Sequence, residues 1–285
     1  MIFALKKTYR ALISLAVLLL VSPISYAQHE GWYQVEMIVV ARKDDSGQEH
    51  WPSNIKLRYP GDWVELKDPS AIESNGTDTL LPVDITKETF YLLPDNERQL
   101  NAQAQKLQRS SRFEVLFHQA WRQIITNKKA SKAILINGGQ TFGQHQALEG
   151  SIRLSVATYL ELQTNLWLAQ FDLNVGQEVT QTWPEIPLRP NYSVASMHNL
   201  SLDSAVEAEL EQALAAENTQ WGDASLNEIA DTSATENFIT RQIILLQQER
   251  DMRSNEVHYI DHPALNVIIQ VTPYTPATTP AASAQ

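Results

Sequence analysis

The sequence contains no cysteine. That absence removes disulfides, thiolate metal ligands and cysteine nucleophiles. It also removes lipid attachment through a cysteine at a leader cut site. Stability must therefore come from burial of a core. Positive charge is also in deficit, with 22 Lys and Arg against 33 Asp and Glu, a net charge of −11. Such a balance argues against nucleic acid and anionic membrane surfaces as partners. No lysine or arginine lies between Arg189 and Arg241. Past the N-terminus no apolar run reaches the roughly 20 residues of a membrane span. The familiar catalytic strings are missing too. There is no Gly-x-Ser-x-Gly elbow and no His-Glu-x-x-His. Gly138-Gly139 with Gly143 has no lysine nearby to serve a phosphate, so Asn137-Gly138-Gly139 reads as a hairpin turn.

What is present begins with an export signal. Lys6, Lys7 and Arg10 form a basic start, Ala11–Val21 is apolar apart from Ser14, and Ser25 and Ala27 are small residues two positions apart. This pattern predicts a signal peptide over residues 1–27, cut between Ala27 and Gln28, and a periplasmic protein of a Gram-negative bacterium. Removing those three cations deepens the net charge from −11 to −14. Residues 28–274 are long enough for a single large core, and 275–285 read as a disordered Pro/Ala/Thr/Ser tail.

Alternating apolar residues predict strands at Trp32–Arg42, Phe113–Ile125, Thr240–Gln248 and Val267–Val271. Ile152, Leu154, Val156, Thr158, Leu160 and Leu162 alternate without a break, which predicts one long strand bending into Asn165–Phe171. Residues 43–95 are punctuated by prolines and predict loops, with a short strand near Phe90–Leu92. A helix is expected to open at Pro94-Asp95-Asn96 and run to about Ser110. Residues 175–236 form an acidic insertion with a helix over 204–217, and Asn255–Asp261 reads as a short helix stopped by Pro263. The order predicts an α+β fold: an antiparallel sheet with helices on one face, a ferredoxin-like split β-α-β core, and loop and acidic helical insertions.

Three clusters could carry chemistry. Ser53-Asn54-Ile55-Lys56 spells Ser-x-x-Lys, but the acylation chemistry needs a helix start, and proline brackets this stretch. His258-Tyr259-Ile260-Asp261-His262 places two histidines one turn apart on a helix, either to share a metal or to interact with the last carbonyls. A metal-dependent cell-wall hydrolase would use His258, Asp261 and His262, with His118 as a third ligand in space and Glu256 as general base. On a strand, His118, Ala120 and Arg122 share one face, and Trp121 takes the other. Trp121 could be a stacking platform beside an Arg122 carboxylate fork, or a core tryptophan beside an arginine paired to an acid.

The stretch Arg109–Gln123, the stretch Met252–Pro263 followed by Val271–Tyr274, and Leu148–Leu154 with Tyr159-Leu160 resemble the CsiV family of periplasmic peptidoglycan-binding proteins. Asn255 stands where that family usually has glycine, and Thr158 where arginine is common. The resemblance implies non-catalytic binding to peptidoglycan in support of cell-wall synthesis and cell shape. It further implies action with a class A penicillin-binding synthase and its outer-membrane lipoprotein activator, LpoA. No cofactor and no metal follow from it. On the matched motifs the expected peptidoglycan contacts are Arg112, His118, Trp121, Arg122, Arg253, Glu256, His258, Tyr259 and His262.

Overall fold

The computed structural model describes residues 29–43, 51–70, 84–178, 181–190 and 238–276. The expected signal peptide, the acidic helix and most of the C-terminal tail lie outside these residues. Strands dominate: β1 Gly31–Arg42, β2 Trp63–Val64, β3 Phe113–Ile125, β4 Ala133–Phe142, β5 His145–Val156, β6 Leu160–Leu173, β7 Phe238–Met252, β8 Val257–Ile260 and β9 Leu265–Pro273. A 3-10 turn at Asp95–Glu97 leads into one helix, α1, at Asn101–Arg109.

The strands form two sheets, ordered β3-β1-β9-β8 and β2-β4-β5-β6-β7. All neighbours are antiparallel except the short β2–β4 pair. The fold is therefore mainly β, not the α+β arrangement expected. The helix lies between β2 and β3 in the chain, and β3 runs antiparallel to β1 beside it, so β1 and β3 do not make the parallel unit of a split β-α-β core.

Period-two patterning builds the core. Val35, Met37 and Val39 of β1 and Val267, Ile269 and Val271 of β9 face Ile152, Leu154, Leu162, Leu166, Ile244 and Leu246 of the second sheet. The two sheets thus bury their inner faces against each other, a sandwich in which alternate residues point outward. At Gly138 the sheets come unusually close. A Cβ there would sit 2.0 Å from the Leu116 carbonyl oxygen of β3. The expected turn at Asn137-Gly138-Gly139 is instead a bulged stretch inside β4, and glycine is required for this approach.

Two other expectations are corrected. The uninterrupted alternation from Ile152 to Leu162 spans two strands joined by Ala157-Thr158-Tyr159. Val156 pairs with Leu160, so a three-residue connection keeps both strands in phase and hides itself in the sequence. Asn255–Asp261 is no helix. Asn255 turns the chain with a φ of 65°, and β8 follows as an edge strand on β9. Asparagine tolerates this left-handed region, as does the glycine it replaces in the resemblance.

Each sheet has a different cover on its outer face. Over the four-stranded sheet, Leu100 and Ala104 of α1 pack on Ile38, Val40 and Ile268. Over the five-stranded sheet lies the extended segment 51–60. Its Ile55, Leu57 and Tyr59 pack with Trp167, Ala169, Ile243 and Ile186. This segment is not helical, and Ser53 is half-buried while Lys56 is exposed. The Ser-x-x-Lys string therefore lacks the geometry its chemistry needs.

Candidate functional site

The first signature stretch runs along β3, whose outer face continues that of β1. Pairing of Gln34 with Arg122, Glu36 with Ala120 and Ile38 with His118 aligns these side chains outward. Glu36, Ile38, Ala120 and Arg122 are buried there, and Gln34 and His118 are only partly exposed. Glu36 is 2% exposed, and its carboxylate accepts from the backbone N–H groups of Gln99 at 2.5 Å and Leu100 at 2.9 Å. His118 Nε2 donates to the same carboxylate at 2.8 Å. A buried acid thus holds the chain entering α1, where helix N–H groups have no partner of their own. His118 serves that anchor.

Arg122 is equally committed. Its guanidinium pairs with Glu97, donates to the Ile85 carbonyl at 3.3 Å, and lies 4.2 Å from the centre of the Tyr274 ring. Tyr274 itself donates to the Thr86 carbonyl. The arginine therefore clamps the 3-10 turn, the 84–90 loop and the C-terminal end of β9 together. Trp121 points into the sandwich with no exposed surface, and its Nε1 donates to Gln123 at 2.7 Å. A ring with no accessible face cannot stack on a sugar. The core-tryptophan alternative, with arginine paired to an acid, is the arrangement found.

The second signature stretch occupies the far edge of the same sheet. Tyr259 pairs with Ile268, Ile268 lies beside Ile38, and Ile38 lies beside His118. The two stretches therefore share a cross-strand row but stand three strand spacings apart, about 14 Å. Leu100 and Ala104 of α1 pack on the middle of that row. Arg253, Glu256 and Tyr259 are exposed, and so is Arg112 at the start of β3. His258 Nε2 sits 3.1 Å from the Arg253 amide and 3.0 Å from its carbonyl, bridging the turn before β8. His262 stacks on Trp51 at 5.1 Å, and Asp261 pairs with Arg42 at 2.8 Å. The helical spacing that would have put His258 and His262 on one metal is absent. Among the described residues, no three His, Asp or Glu side chains are grouped to hold a metal ion.

Of the eight cations from Arg98 to Lys132, at least three are engaged within the fold. Arg98 pairs with Asp95 and donates to Gln119, Arg122 is buried, and Lys128 reaches Glu249 and Glu161.

The open site is elsewhere. A groove of about 1140 Å³ crosses the outer face of the five-stranded sheet. Two polar rows form its floor: Arg153, Gln163 and Glu249, then Ser151, Asn165 and Gln247, one residue from each of β5, β6 and β7. The 55–60 segment makes one wall and Pro184-Glu185 lines it as well. Asn165 Nδ2 donates to the Arg58 carbonyl at 2.9 Å and pins that wall to the floor. Several charges at the margin are already paired. Arg153 forks both carboxylate oxygens of Asp62 at 2.7 Å, and this hydrogen bonding holds the Asp62 carboxyl below its usual range. The Lys128 hydrogen bond likewise lowers Glu249 and raises the lysine. Among the described residues Lys56, Arg58 and Gln247 make no side-chain hydrogen bond or ion pair, and all three are exposed. The sequence carried a signal for this face. Ser151, Arg153, Gln163 and Asn165 are the polar half of the alternation whose apolar half was read as core.

Residues 12–274 match the sequence profile of the family described as "Peptidoglycan-binding protein, CsiV". The chain belongs to the CsiV family. No curated protein and no solved structure matches it. In this CsiV-family chain, His118, Trp121 and Arg122, the most recognisable motif residues, are held inside the fold. The polar groove is a surface on which Lys56, Arg58 and Gln247 remain open to a ligand. No helix among the described residues is long and apolar enough to cross a membrane.

Proposed function

We propose that this chain is a non-catalytic peptidoglycan-binding protein of the periplasm. It supports cell-wall synthesis and cell shape, acting with a class A penicillin-binding synthase and its lipoprotein activator LpoA. The observation that carries the reading is the family match over nearly the whole chain. The pattern at residues 1–27 supports export, and the resemblance of Arg109–Gln123 and Met252–Pro263 supports the link to the synthase. Of the nine motif contacts, Arg112, Arg253, Glu256 and Tyr259 are those with surface open to the wall or to a protein partner.

The test is co-sedimentation of the purified mature chain with isolated sacculi, followed by chromatography of the soluble fraction. Binding with no new soluble muropeptides is expected. Adding LpoA and the synthase should then raise glycan polymerisation above the level of those two alone. Release of muropeptides by the pure chain would overturn the non-catalytic reading.

A further inference from the structure

We infer that the groove on the five-stranded sheet is the peptidoglycan site, and that it holds a glycan strand together with its stem peptide. The inference rests on the peptidoglycan reading above and assigns that binding to one face of the molecule.

The groove's size and chemistry both point this way. At about 1140 Å³ it exceeds the roughly 300–1,000 Å³ of a small-ligand pocket and suits a polymer segment. Its floor presents primary amides in register on two strands, Gln163, Asn165 and Gln247; Gln163 donates to Glu249 and Asn165 to the Arg58 carbonyl, while Gln247 is open on both its donor and acceptor sides among the described residues. Amide side chains offer a donor and an acceptor together. That is the complement of the N-acetyl groups on the sugars and of the peptide bonds in the stem. The wall adds Lys56 and Arg58, exposed cations without a partner among the described residues, on a protein of net negative charge. Stem peptides carry carboxylates, and a free cation beside a row of amides recognises a peptide acid. The other cationic side chain in the groove, Arg153, is already engaged by Asp62, so the Lys56–Arg58 wall supplies the available charge. The wall is also fixed before any ligand arrives. Asn165 holds the Arg58 carbonyl, and Tyr59 packs edge-on to Trp167 at 5.0 Å. A preformed site loses less on ordering than a loose one.

The experiment compares binding of the mature chain to intact sacculi with binding to glycan strands stripped of stem peptides. Two variants carry the test, Lys56→Glu with Arg58→Glu, and Gln247→Ala. A third, Lys106→Glu on α1 over the opposite sheet, is the control, and Arg253→Glu probes the β8 edge as the rival site. The charge reversal should weaken binding to intact sacculi about tenfold or more, with unchanged melting. Gln247→Ala should weaken it by a smaller factor, and Lys106→Glu should leave it unchanged. Stripping the stem peptides should weaken the wild type and make no further difference to the charge-reversed chain. If the reversal lowers melting, Lys56→Gln with Arg58→Gln takes its place and should show the same loss. Wild-type binding that survives every groove substitution would overturn the groove and leave the peptidoglycan reading intact. Loss through Arg253→Glu alone would move the site to the β8 edge. No wild-type binding at all would remove both.

Discussion

The two outer faces of this sandwich are built from similar strands and do opposite things with their polar residues. On the four-stranded sheet, Glu36, His118 and Arg122 are turned inward onto the chain itself, tying α1 and the 84–97 segment to the strands. On the five-stranded sheet, Gln247, Lys56 and Arg58 are left facing water. The first face is held together by its polar groups; the second pairs some of them and leaves these three open. A distinctive motif is therefore no guide to contact. Buried polar networks constrain their residues tightly, because an unpaired buried charge costs several kcal/mol, about 3–5 for breaking a buried pair. An open groove tolerates amide and charge choices that leave a fainter trace.

The sharpest way to break the contrast is Trp121→Ala. It should cost about 3–5 kcal/mol of stability, read by denaturant melting, because it empties a site at the centre of the core. Retained stability with lost sacculus binding would make the closed face a binding face after all. Next is Glu36→Ala. It strips the partners from the Gln99 and Leu100 N–H groups and from His118, and should cost about 2–4 kcal/mol. Hydrogen exchange should rise first in α1. Smaller still is Asn255→Ala, at about 1 kcal/mol, since alanine resists the φ of 65° there. Asn255→Gly should be close to neutral in the same melting assay. On the open side, Tyr59→Phe should change stability at neutral pH by less than about 1 kcal/mol, because its buried hydroxyl has no hydrogen-bond partner among the described residues. Its effect appears in alkali. Burial, reinforced by the Glu149 charge, raises the Tyr59 hydroxyl above its ordinary value of 10.0. Its contribution is fully present below pH 10 and declines as pH rises further, because the unfolded chain ionises first. The phenylalanine variant should lose part of that alkaline decline, with Tyr33, also raised by burial, supplying another part.

Much of the strand pattern was legible. β1, β3 and β9 follow the alternation of Val35, Met37 and Val39, of the Phe113–Ile125 run, and of Val267, Ile269 and Val271. The helix near residues 101–109 was also readable from Leu100, Ala104 and Leu107. The second sheet was harder, because alternation gives which face is buried and not which strand follows. The connection at Ala157-Thr158-Tyr159 carries no glycine or proline, so nothing broke the period. His258 on a four-residue edge strand and His262 just past its end looked helical for the same reason: they fit a 3.6 spacing, while the turn at Asn255 is signalled by a single residue. For the site, residue type was a poor guide without depth. Arg122 and Trp121 have the chemistry of recognition, and only packing reveals that Glu97 and the core have already claimed them. The groove was missed because its walls come from 55–60 and 184–185, where flanking prolines read as loop and the short alternation of Ile55, Leu57 and Tyr59 was passed over.

The first and last strands finish side by side: Tyr33 pairs with Pro273, the Tyr274 amide donates to the Trp32 carbonyl at 2.9 Å, and the two rings meet edge to face at 6.2 Å. The folded body thus begins and ends at one pole. A short peptide could splice those ends and the chain could be reopened at the 157–159 hairpin, giving a circular permutant with the same sandwich. By the same geometry, any tether attached at either end would pull on the β1–β9 pair alone, and would leave the groove, on the other sheet, free of the strain.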